Sequence, residues 1–118
     1  WGSGKPTRDY CYAGDVAEGI LAAAEHYREP ALVNLSSGRE HSVREVVALL
    51  AELTGFQGEV AWNTERPDGQ ARRLFDVSKA RRELGFECRT SLREGLERTV
   101  AWYRANRQRA RNAVAFGA

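Results

Sequence analysis

The sequence predicts a small mixed α/β domain, and three observations predict it. Helical runs with capping residues alternate with short extended pieces. Their order reads strand–helix–strand–helix–strand followed by helices, which suits a mixed layer rather than a bundle. The 118 residues are enough to enclose one hydrophobic core. Apolar residues make up 42% and charged residues 29%, the balance of an ordinary water-soluble domain. No apolar stretch nears the roughly 18–20 residues that span a bilayer, and no secretory-type leader is visible. No membrane partner is expected, and the expected compartment is the cytoplasm.

An extended piece is expected over residues 8–12. The first helix is expected over 15–27, where Val16, Ile20, Ala23, Ala24 and Tyr27 recur at helical spacing. Asp15 and Glu18 stand as in a capping box, and Pro30 forbids continuation. A second extended piece covers 32–35. The second helix is expected over Val43–Thr54, with Ser42 and Glu45 as a full capping box and Gly55 as its stop. Val43, Val46, Val47, Leu50 and Leu53 form its buried stripe. A third extended piece follows over 59–62, then a short helix over 79–84 between the cap Ser78 and Gly85. The last helix opens with Ser91 and Glu94, carries Leu92, Leu96, Val100 and Tyr103 inward, and then turns basic. The chain divides into a binding domain over 1–112 and a flexible tail over 113–118.

Charge and cysteine usage narrow the chemistry. Eighteen basic against 16 acidic side chains leave a net charge of +2, too mild a balance to imply nucleic acid. Arg98, Arg104, Arg107, Arg109 and Arg111 cluster in the last helix and read as a solvated surface. Cys11 and Cys88 lie far apart in sequence; a disulfide is allowed, but two buried or half-buried thiols in a reducing compartment are expected. With His26 and His41 unclustered, no metal-site spacing is present. The chain begins with Trp1 and contains no Met, which is expected of a fragment or a processed product.

Gly4-Lys5 lacks the upstream glycine and downstream hydroxyl of a phosphate loop, and Pro6 follows it. Gly2-Ser3-Gly4 has neither a strand before it nor a helix start behind it, so it is a turn rather than a dinucleotide fingerprint. No nucleophile elbow or zinc motif occurs. Two loops remain. Trp1 to Arg8 is a glycine-rich turn bracketed by an aromatic and a cation, able to stack on a base and to pair with a phosphate. Arg66 to Arg73 contains the turn Pro67-Asp68-Gly69, and its adjacent arginines, Arg72 and Arg73, face different directions. A plain solvent turn accounts for either loop alone; a shared site requires both to meet.

Four blocks carry a resemblance: Trp1-Gly2-Ser3-Gly4 through Arg8-Asp9-Tyr10, Val33 through Gly38, Arg66-Pro67-Asp68-Gly69 through Arg73 to Ser78, and Ser91-Leu92-Arg93-Glu94-Gly95-Leu96. Together they resemble the carboxy-terminal part of extended short-chain dehydrogenase/reductases, the NAD-dependent epimerase/dehydratase family, and most of all its GDP-L-fucose synthase branch. The resemblance implies a small mixed α/β substrate-binding subdomain of an extended Rossmann-type enzyme, without the dinucleotide-binding core. It implies nucleotide-sugar binding in an NADP-dependent 3,5-epimerase/4-reductase acting on GDP-4-keto-6-deoxymannose, with Trp1, Arg8, Asp68 and Arg73 touching the sugar nucleotide. Arg8 and Arg73 would neutralise the diphosphate, Trp1 would lie beside the nucleotide or sugar, and Asp68 would bond a hydroxyl.

The family's proton-transferring Tyr-x-x-x-Lys pair has no counterpart here. The tyrosines are 10, 12, 27 and 103, and four residues on stand Gly14, Val16, Ala31 and Arg107. The chain is therefore expected to hold no catalytic residue and no cofactor, with NADP(H) or NAD(H) bound by the parent enzyme. Its expected partners are a sugar nucleotide (a GDP-sugar first) and the missing N-terminal dinucleotide-binding domain, and a homodimer is compatible. The alternatives are a piece of a UDP- or dTDP-sugar epimerase or dehydratase, and a freestanding, non-catalytic module that binds a nucleotide or a protein.

Overall fold

The computed structural model describes residues 2–115, and for residues 108 and 110–115 the backbone alone. Seven elements follow one another: β1 (Thr7–Asp9), α1 (Ala13–His26), β2 (Glu40–Ser42), α2 (Val43–Thr54), β3 (Arg72–Arg73), α3 (Ser78–Leu84) and α4 (Leu92–Ala115). The order of element types is the expected one, but the strands differ. β1 is the middle strand. It runs antiparallel to β2, with Thr7 opposite Ser42, Arg8 opposite His41 and Asp9 opposite Glu40. It runs parallel to β3, with Thr7 beside Arg72 and Arg8 beside Arg73. The apolar stretches 32–35 and 59–62 form no ladder and run as irregular chain. Polar pieces take the strand places because tertiary pairing, not propensity, selects strands this short.

α2 forms as expected, because both of its ends carry local chemistry. Glu45 N–H donates to Ser42 Oγ at 3.1 Å, and Ser42 N–H donates to Glu45 Oε2 at 2.6 Å. Gly55 then turns left-handed at φ 71° and ends the helix. The start of α1 departs from expectation. Its cap residue is Tyr12, which makes no side-chain cap bond, and Asp15 lies inside the first turn. Asp15 does not cap, because its carboxylate turns to donors on another segment, Thr90 N–H at 2.9 Å and Thr90 Oγ at 2.8 Å. The buried face of α1 is accordingly Asp15 and Gly19, while Ile20 is 57% exposed. At Gly19 a Cβ would fall 2.8 Å from the Phe86 ring, so this close packing requires glycine.

In α3 Ser78 is the first helical residue rather than the cap, and Asp76 Oδ1 accepts its N–H at 2.8 Å. At the start of α4 only half of the box forms. Glu94 N–H reaches Ser91 Oγ at 3.2 Å, but the Glu94 carboxylate pairs with Arg98 at 2.6 Å. α4 kinks at Asn106, whose amide donates to Trp102 O at 2.9 Å. The backbone stays helical past the expected boundary at 112 as far as Ala115, and residues 116–118 lie outside the described residues. Two arginines of α4 fasten it to α2. Arg93 forks onto Glu52 at 3.0 and 2.8 Å, and Arg104 donates to Thr54 O at 3.2 Å, at the negative end of the α2 dipole.

The core is thinner than the length allows. Among the described residues the buried apolar core is Val46, Ala80, Phe86 and Cys88, while Leu21 is 65% and Leu32 is 94% exposed. Strands of two or three residues offer one or two inward side chains each, too few to cover the helices. The radius of gyration is 16.9 Å, against about 13.5 Å for a compact chain of this length. No helix among the described residues is long and apolar enough to cross a membrane.

Candidate functional site

Side chains alternate faces along a strand and match faces across paired positions. This places Arg8, His41 and Arg73 in one row across the sheet, and Thr7, Asp9, Glu40, Ser42 and Arg72 on the opposite face. The carboxylates sit on the second face. There Arg72 forks onto Glu40 at 2.8 and 2.7 Å, and Thr7 Oγ donates to the same carboxylate at 2.7 Å. On the first face Arg8 donates to Thr7 O at 2.7 Å and Arg73 to Gln70 Oε1 at 3.3 Å. Among the described residues neither has a carboxylate within 4.0 Å. Two guanidinium groups thus rise from neighbouring strands, about 4.8 Å apart at the backbone, without a counter-charge. An anion with several oxygens would satisfy both. The adjacent arginines do face different ways, Arg72 into an ion pair and Arg73 into this row.

The two loops singled out from the sequence meet. Ser3 donates to Asp68 through both its N–H and its hydroxyl, the latter at 2.7 Å. Gly2 N–H donates to Asn63 O at 2.7 Å, and Thr7 N–H donates to Ala71 O at 2.9 Å. The bonds from Ser3 N–H and hydroxyl hold the Asp68 carboxyl below its ordinary range, with a smaller contribution from Lys5. Two residues that the sequence left unassigned complete the clamp. The Trp62 ring lies against Gly4, where a Cβ would fall 2.4 Å from it, and Gly4 takes φ 73°. Arg44 stacks 4.7 Å from the centre of the same ring and donates to Ser3 O. Of the four residues picked out, Arg8 and Arg73 stand side by side, Asp68 binds the glycine turn, and Trp1 lies outside the described residues.

Behind the row, Asp9 organises the turn at residues 36–38. Its carboxylate accepts Ser37 N–H at 3.0 Å, Gly38 N–H at 3.0 Å, and the Ser37 hydroxyl. Burial by itself would raise its pKa; these bonds outweigh it and leave it lowered. Among the described residues one group brings three metal-capable atoms together, Cys11 Sγ, Asp15 O and Cys88 Sγ, all within 4.8 Å. Sequence spacing concealed it. Asp15 is already occupied by Thr90 and by the Cys88 S–H at 3.0 Å, so the group is a closed hydrogen-bond network. Concavities lie elsewhere, one between the β1–α1 turn and the start of α4, another between α2 and α4. The arginine row is on an open face.

Comparison with known proteins places the chain in a family. The family described as GDP-mannose 4,6 dehydratase matches residues 1–99. The chain belongs to the NAD-dependent epimerase/dehydratase family. It is 38% identical over 106 residues to the probable GDP-L-fucose synthase 1 of Oryza sativa subsp. japonica, covering 90% of this chain and 32% of that protein. Two solved structures share the fold. The Bordetella bronchiseptica enzyme WbmF in complex with NADH superposes with a TM-score of 0.79 at 35% identity, covering 90% of this chain and 32% of that one. The UDP-glucose 4-epimerase of Thermotoga maritima with UDP-glucose gives 0.82 at 34% identity, covering 90% and 34%. The chain therefore spans about a third of the length of the family members it matches.

A dinucleotide of the kind bound by WbmF needs a glycine turn between a strand and a helix N-terminus. In this family member the turn at residues 2–4 precedes β1, and Trp62 fills the open side of Gly4. These residues do not fit such a cofactor.

Proposed function

We propose that this chain is the substrate-side portion of a nucleotide-sugar epimerase/dehydratase, and that Arg8 and Arg73 hold the diphosphate of the sugar nucleotide. The observation that carries the reading is the pairing of these two arginines on a sheet face without a carboxylate. Two planar forks from neighbouring strands match a diphosphate, whose oxygens accept charge-assisted bonds from both. His41, next in the row, extends the polar face. Asp68 acts by fixing the glycine turn that carries Trp1, and Trp1 lies beside the nucleotide. The second wall of the cleft comes from a dinucleotide-binding domain, which also supplies the nicotinamide hydride and the proton donor. Such a domain would cover the exposed Ile20, Leu21, Leu32 and Phe75.

The favoured substrate is a GDP-sugar of the 4-keto-6-deoxymannose kind, following the likeness to GDP-L-fucose synthases. A UDP-sugar is the second reading, supported by the likeness to the epimerase solved with UDP-glucose. The test is calorimetric titration of the full-length protein with GDP-mannose and UDP-glucose, together with Arg8→Ala and Arg73→Ala. One charge-assisted phosphate contact contributes about 1.5–3 kcal/mol, so each variant should bind roughly 10–150-fold more weakly. Unchanged affinity in both variants would remove the diphosphate role. The preferred base follows from which nucleotide sugar the wild type binds.

A further inference from the structure

We propose that Cys11 and Cys88 form a redox-modification site, closing an intrachain disulfide by exchange with a small-molecule disulfide of the glutathione type. The two residues stand 77 apart in sequence, yet their sulfurs lie 3.5 Å from one another, in van der Waals contact. The fold brings them together through two separate segments, the turn between β1 and α1 and the stretch leading into α4. Both are free thiols, Cys88 buried and Cys11 half-buried. Cys11 lines the concavity shared with Tyr10, Tyr12, Leu92 and Leu96, which gives a small reagent its approach. Cys88 is shielded and donates its S–H to Asp15 Oδ2 at 3.0 Å. Their roles follow: Cys11 is attacked first, and Cys88 resolves.

The exchange balances in two steps. The Cys11 thiolate attacks one sulfur of the small disulfide, whose S–S bond breaks and releases one small thiol carrying the Cys11 proton. Cys88 then gives up its proton, with the Asp15 carboxylate beside it, and attacks Cys11 Sγ of the mixed disulfide, releasing the second small thiol. Two protein thiols lose two electrons and two protons, and one small disulfide gains them. Burial, then Cys88 and the carboxylates of Asp15 and Asp9, push the Cys11 thiol up to about 12. Burial and the bond to Asp15 push Cys88 up as well. Thiolate is scarce at neutral pH, so the exchange is slow. The pair is a staple set by sustained redox conditions rather than a fast sensor. A metal-ligand role is disfavoured because Asp15 is occupied by both donors of Thr90.

The test equilibrates the full-length protein across a series of reduced and oxidised glutathione, quenches with acid, alkylates, and maps tryptic peptides. Cleavage after the flanking arginines places Cys11 in the peptide 9–28 and Cys88 in the peptide 83–89. The expected result is a linked 9–28/83–89 species that dominates in oxidising buffer and disappears on reduction. Its formation should raise the melting midpoint by roughly 10 °C. Cys88→Ser should abolish both effects. Cys11→Ser, at the less buried position, should do so too, and serves where the first variant fails to fold. Full alkylation of both thiols after prolonged oxidation would overturn the proposal, as would glutathione mixed disulfides without the linked species. Stoichiometric zinc in the purified protein, lost from both variants, would overturn it in favour of a metal site. None of these outcomes depends on the sugar-nucleotide reading.

Discussion

Asp15→Ala removes the carboxylate that joins the first turn of α1 to the segment before α4. The side chain is 8% exposed and accepts Thr90 N–H at 2.9 Å, Thr90 Oγ at 2.8 Å and the Cys88 S–H at 3.0 Å. A hydrogen bond to a charged acceptor contributes about 1.5–3 kcal/mol, and the alanine variant also leaves the Thr90 donors buried and unpaired. The weak S–H donor adds little. The expected loss is about 3–5 kcal/mol, or roughly 12–20 °C in melting temperature for a chain of this size. Asp15→Asn keeps an acceptor oxygen and loses the charge, so it should fall about halfway. The pH dependence has a definite sign. Burial alone would raise the Asp15 pKa, but the bonds from Cys88, Thr90 and the Arg89 backbone outweigh it and leave it lowered. A carboxyl depressed by folding stabilises fully above its unfolded pKa of about 3.9 and loses that contribution as pH falls through the folded value. The gap between wild type and Asp15→Ala, followed by circular dichroism melts, should be widest near neutrality and shrink below about pH 4. An alanine variant melting within about 3 °C of wild type at neutral pH would refute the role given to this network.

Two further outcomes test the frame around the arginine row. Gly4→Ala meets both a positive φ of 73° and the Trp62 ring; it should cost about 1–3 kcal/mol and weaken the near-ultraviolet dichroism of Trp62. Ser42→Ala removes the hydroxyl that accepts Glu45 N–H and donates to Glu45 Oε2, and leaves the backbone N–H bond to that carboxylate in place; denaturant titration should show a loss of about 0.5–2 kcal/mol with an unchanged m-value.

The elements legible from sequence were those whose chemistry is local. Ser42, Glu45 and Gly55 lie within or beside α2, and its bounds followed from them. The strands were illegible for the opposite reason. Residues 32–35 and 59–62 have strand-like side chains but no partner, whereas Glu40, His41 and Ser42 have a partner in β1 despite their polarity. Asp15 has the local spacing of a cap, but its partner, Thr90, is 75 residues away. Within the site, Arg8 and Arg73 could be chosen by residue type, but their alignment depends on the parallel register. Trp62 and Arg44 carried no local mark at all, since only the fold brings the indole to Gly4. The family resemblance reached further than periodicity did, because its blocks mark positions where distant segments meet.

The central position of β1 has a consequence for how the chain is made. This strand leaves the ribosome well before one of its partners, β3, at residues 72–73. At synthesis rates of about 5–20 residues per second, one edge of β1 waits roughly 3–13 s for its neighbour. An open strand edge invites pairing with other nascent chains. β1 is only Thr7, Arg8 and Asp9, too short and too charged to template such pairing. The charge of Arg8, at the middle of this strand, thus also discourages mispairing of the unfinished chain during its own translation.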